Sequence, residues 1–286
     1  MTCITVFRHL IRGGRGDGRL LSPSAASYPL CTVPCNPFSM RSFLLKCVSA
    51  LSAVLGMHAV AGPVLYTGSS GGFAATVSFD IVGSQLQVVL SNTSTGDVLV
   101  PTDVLTAVFF NIAGNPLLTR NSALSGGPTY VGSTNVSAAG TVVGGEWAYR
   151  NGLSQYSANS GISSSGLGIF GAGDRFPGAN LAGPDSPNGL QYGLSSAGDN
   201  QATGNPGGVL DDELTRSSVS FLLTMASPFD LSAIGNVTFQ YGTDLSEGHF
   251  TGTSQRSVPE PGTLALAGLA LLGAAGIRRR PHRSPT

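Results

Sequence analysis

The sequence predicts an all-β domain over residues 62–251, an antiparallel β-sandwich or jelly-roll-like arrangement. Three observations carry that expectation. Apolar residues recur at period two, the segments that do so are short, and clusters of Gly, Asn, Asp, Ser and Pro separate them. Phe73, Ala75, Val77, Phe79 and Ile81 share one face of a first strand. Gly83-Ser84 is a two-residue break before Gln85–Leu90, so the pair reads as a hairpin. Asn92–Asp97 is a loop, and Pro101, which lacks an N–H, bars strand pairing just ahead of the apolar strand Val104–Ile112. Gly144–Arg150 alternates again, with Trp147 and Tyr149 on one face. Residues 151–208 hold short apolar islands, Leu167–Phe170 and Leu190–Leu194, and predict long loops crossing between short strands. Ser218–Met225 and Val237–Tyr241 are two further strands, and Asp230 caps a one-turn helix reaching Ile234. No segment here has the period of a long helix, and no fixed repeat marks a solenoid or propeller.

Ahead of this domain, residues 40–61 have the layout of a secretory signal peptide. Arg41 and Lys46 supply positive charge, Val48–Leu55 is apolar, and Ala59-Val60-Ala61 is an A-x-A site predicting cleavage after Ala61. The partners this implies are the Sec translocon and signal peptidase. Residues 1–39, rich in Gly, Pro, Ser and Arg, read as an extension from a start codon placed too early, with Met40 as the true start; a long n-region or transit-like extension is the alternative. Cys47 is not a lipoprotein cysteine, because it precedes the apolar run and follows Lys46. All four cysteines (Cys3, Cys31, Cys35 and Cys47) lie before the expected cleavage site, so the exported domain rests on its core without disulfides.

Residues 62–257 carry ten Asp and three Glu against five Arg and no Lys, a net charge of −8 with His neutral. That balance argues against nucleic acid and against anionic polymers held by simple charge attraction. It leaves cation bridging and neutral-glycan contacts open. The domain has one histidine, His249 in a Gly/Thr loop, and no cysteine, which removes the usual zinc sites and a Cys nucleophile. No G-x-S-x-G elbow accompanies His249, so a solvated loop histidine is the expectation and the chain is not read as an enzyme. Asp211, Asp212 and Glu213 form the densest acid cluster. With loop carbonyls, Asp199, Asn200 and Asn205 they offer oxygens for Ca²⁺, but no EF-hand spacing supports this and a solvated turn is the default. Trp147 and Tyr149 could stack on a sugar ring, against the commoner role of a lone Trp in a β core.

The tail has its own logic. Gly252–Ser257 reads as a linker, and 258–283 as a separate signal. Val258, Pro259, Glu260 and Pro261 cannot join a following helix, since proline fixes φ and forces the residue before it into extended geometry. Thr263–Ile277 has no charge, yet at about 1.5 Å per residue it reaches only ~22 Å, a short transmembrane helix. Arg278, Arg279 and Arg280 should stay cytoplasmic and leave the Pro-Glu-Pro segment outside. This order resembles the PEP-CTERM sorting signal of Gram-negative bacteria. Tyr192–Asn200 and Phe239–Leu245 also look like segments of other exosortase-targeted surface proteins. The resemblance implies transient inner-membrane insertion, cutting by a membrane-embedded exosortase near Pro-Glu-Pro, and delivery to the cell surface. It further implies association with exopolysaccharide and biofilm.

Overall fold

The computed structural model describes residues 62–183 and 185–256. The expected extension (1–39), signal peptide (40–61) and sorting tail (258–283) lie outside the described residues. Fifteen strands are described, with no α-helix among them. The first seven are β1 (Val64–Ser70), β2 (Phe73–Val82), β3 (Gln85–Asn92), β4 (Leu105–Ile112), β5 (Leu118–Ser125), β6 (Thr129–Val131) and β7 (Thr134–Ser137). The central short ones are β8 (Ala148–Asn151), β9 (Ser160–Ser163), β10 (Leu194–Ser195) and β11 (Glu213–Arg216). The last four are β12 (Ser218–Met225), β13 (Ile234–Tyr241), β14 (His249–Thr251) and β15 (Thr253–Arg256).

One sheet has six strands in the order β15-β1-β2-β3-β12-β5, every neighbouring pair antiparallel. Its centre is the hairpin expected from alternation. Val82 pairs with Gln85, and Gly83 takes φ 62° at the first loop position, where a tight hairpin turn favours glycine. The second sheet has nine strands, running β14-β13-β4-β10-β11-β6-β7, with β9 also paired to β4 and β8 to β9. It is mixed, because β10 and β11 run parallel. The two sheets share one core: Phe79 of β2 meets Phe110 of β4 at 5.1 Å between ring centroids, and Trp147 meets Phe221 of β12 at 5.0 Å. The Tyr66 hydroxyl crosses from β1 to donate to Ile234 O at 2.5 Å.

A third layer covers the nine-stranded sheet. Ala107 and Phe109 of β4 pack with Ala148, Ala158, Leu167 and Phe170, mostly from the expected crossing loops. A smaller cluster joins Val98, Val104, Tyr130, Leu190, Val209 and Leu214. Asp230 caps a short 3₁₀ turn, Leu231–Ala233, by accepting from Ser232 N at 2.6 Å.

Three expectations need correction. The strand predicted over Gly144–Arg150 begins only at Ala148, because Gly144–Glu146 forms a 3₁₀ turn. A Cβ on Gly145 would overlap Ala179 O, so the turn is pressed against the following loop. The segment expected as a linker after Thr251 is instead mostly strand: β15 pairs with β1 over four residues. Its sequence, Thr-Ser-Gln-Arg, has no apolar residue, so backbone hydrogen bonds define it. Finally, His249 opens β14 rather than lying in a loop.

Candidate functional site

The pairing of β1 with β15 brings the two ends of the domain together. Val64 stands opposite Arg256, and Leu65 opposite Gln255. The first strand therefore begins three residues after Ala61 of the expected signal-peptidase site, Ala59 and Ala61, and the last strand ends beside that entry point. β15 ends at Arg256, the last described residue. Residues 257–280 match the PEP-CTERM protein-sorting motif. The match includes Val258, Pro259, Glu260, Pro261 and Arg278–Arg280, all outside the described residues. It covers the tail and does not extend into the β domain. A PEP-CTERM motif implies exosortase as processing partner and export to the cell surface of a Gram-negative bacterium. No curated protein and no solved structure matched the chain. The described residues contain no helix long and apolar enough to cross a membrane, and the expected span over 263–277 lies outside them.

Within the domain, Trp147 and Tyr149 take the core role rather than the alternative of a sugar platform. Trp147 is fully buried and Tyr149 is 3% exposed, both in the core between the sheets. The indole and phenol faces are spent on packing, so the glycan-contact reading of this pair is corrected. The Tyr149 hydroxyl lies 3.4 Å from Ser160 Oγ, and burial raises its pKa.

The acid cluster is split by the fold. Asp211 and Asp212 lie in a turn where Asp212 N donates to Val209 O, and Asp211 is exposed. Glu213 enters β11 and accepts from the Tyr192 hydroxyl at 2.8 Å. Burial, then repulsion from Asp211, raises the Asp212 pKa. Among the described residues no group of three or more His, Cys, Asp or Glu is placed to hold a metal ion.

Asp199 and Asn205, the further oxygens a calcium site there would use, do come together, but around other partners. Asp199 is 6% exposed; its carboxylate accepts from Val98 N at 3.0 Å, from the Tyr130 hydroxyl, and from Asn205 Nδ2 at 3.4 Å. Arg216 donates to Asp199 O at 3.0 Å and lies 5.9 Å from the Tyr130 ring centre. With a guanidinium built in, this cluster has the chemistry of a structural tie between β6, β11 and the crossing loops. Glu146 makes a second tie. It is 1% exposed, and its carboxylate accepts from Leu181 N, Ala182 N and Ser186 Oγ at 2.5, 2.9 and 2.6 Å. His249 is exposed, stacks on Tyr156 at 4.6 Å, and sets Nδ1 3.1 Å from Glu247 O. Sequence reasoning missed both ties, because partners up to 101 residues apart leave no local signal.

Proposed function

We propose that this chain is an exported precursor whose β-sandwich is the retained product. The Sec translocon exports it, signal peptidase cuts after Ala61, and exosortase cuts near Pro259-Glu260-Pro261 after transient insertion in the inner membrane. The released domain serves a structural, non-enzymatic role in or on the exopolysaccharide layer, as in a biofilm. The observation that carries this reading is the direct succession of β15, ending at Arg256, and the PEP-CTERM motif, starting at 257. Because Val64 lies beside Arg256, both disposable segments would be attached at one corner, and removing them leaves the described strand pairing whole.

Fractionation of producing cells tests the proposal. The wild-type protein should reach the surface, while cells without exosortase, or with Pro259, Glu260 and Pro261 all changed to Ala, should hold the uncut chain in the membrane fraction. Equal surface delivery in all three would contradict it. A rise in melting temperature with added calcium would replace the structural role with a calcium-dependent adhesive one.

A further inference from the structure

Five arginines are the entire Lys/Arg complement of residues 62–257. Two of them, Arg120 on β5 and Arg150 on β8, line one open pocket of about 270 Å³ with Leu117, Thr119, Asn151 and Asp174. Asp174 lies between them: Arg120 Nη1 is 3.9 Å from Oδ1 and Arg150 Nη1 is 3.9 Å from Oδ2. These ion pairs are too long for hydrogen bonds. Backbone carbonyls orient the guanidinium groups instead. Arg120 Nη1 donates to Tyr149 O at 3.1 Å, and Arg150 Nη1 donates to Ile169 O at 2.6 Å. The Asp174 carboxylate accepts from Gly171 N at 3.0 Å. The arrangement holds two positive charges against one negative, with the arginine side chains 34% and 51% exposed. Exposed ion pairs of this length stabilise a fold by little, so the pair has small structural value.

We propose that this pocket is a carboxylate-binding subsite for one acidic sugar ring. Arg120 and Arg150 take the carboxylate, Thr119 and Asn151 meet ring hydroxyls, and Leu117, 63% exposed, lies under a C–H face. The assignment rests for its setting on the polysaccharide role proposed above. Guanidinium forks match a carboxylate in shape and charge. The volume falls just below the usual range for ligand pockets and suits one ring rather than several. The domain's net charge of −8 opposes an acidic polymer at long range, so recognition is local, through the two guanidinium groups. Asp174 competes with the ligand for the same two cations.

The test is calorimetric titration of the full chain in detergent with a uronic-acid tetrasaccharide, its carboxyl-reduced form, and free sulfate. The acidic tetrasaccharide should bind about tenfold or more tightly than the reduced form, as expected for a charged hydrogen bond, and more tightly than sulfate. Asp174→Asn should tighten it severalfold. Arg120→Gln with Arg150→Gln, checked by an unchanged melting transition, should abolish it, and Arg120→Lys should fall between. Absent binding, equal binding of the acidic and reduced forms, sulfate binding as tightly as the sugar, or Asp174→Asn without effect would each overturn the subsite. Binding in the titration without processing in cells would sink the sorting reading alone; processing without binding would sink the subsite alone.

Discussion

The two sheets solve burial differently. In the six-stranded sheet, β3 and β12 alternate strictly between buried and half-buried residues, with Leu86, Val88, Leu90, Val219, Phe221 and Leu223 inward. Gln85, Gln87, Ser220 and Thr224 face the other way. In the nine-stranded sheet, β4 is buried at seven of eight positions because loops cover its second face. A strand with one open face needs only alternation to be specified, whereas a strand covered on both sides depends on the loops that cover it. The loop layer is therefore part of the fold, held by buried carboxylates as well as by apolar contacts.

The largest expected effect tests whether that outer layer is packed as well as the core. Phe109→Ala, in the outer cluster, should cost about 3–5 kcal/mol, the same range as Phe79→Ala between the sheets. Urea unfolding of both variants checks this, and a cost below about 1 kcal/mol at Phe109 would mean the loops cover the sheet loosely. Glu146→Ala should cost about 1–3 kcal/mol, since it leaves the N–H groups of Leu181 and Ala182 without their acceptor. Hydrogen exchange should then quicken at those two amides first. Trp147→Phe should cost about 1–2 kcal/mol, from the cavity left in the core, since the buried indole N–H has no protein acceptor to lose.

The smallest effect is electrostatic. The folded pKa of Asp212 lies above its ordinary 3.8, so the native state holds this proton more tightly than the unfolded chain. Its contribution is greatest below 3.8 and is lost as pH rises through the folded value. Asp212→Asn should remove that loss, raising stability at pH 7 by about 0.5 kcal/mol or less and leaving pH 3 little changed. Melting curves across that range check the sign.

Much of the six-stranded sheet was legible because Phe73–Val82, Gln85–Leu90 and Ser218–Met225 alternate at period two. β1 and β15 were not, since Val64 and Tyr66 make a short pattern and Thr253–Arg256 has none. Their pairing joins residues nearly 200 positions apart, which only the folded chain discloses. The PEP-CTERM tail was legible because its signal is a local order of proline, apolar and arginine residues. The Arg120, Arg150 and Asp174 pocket was invisible, since its members lie 24 and 30 residues apart on separate elements.

The proposed mature protein is the β domain left after two cuts. Intact mass measurement of the protein washed from producing cells tests it most directly. The expected product has its N-terminus at Gly62 and its C-terminus beyond Arg256 but before Thr263. A surface protein that keeps residues 263–280, or that begins upstream of Ala61, would contradict it.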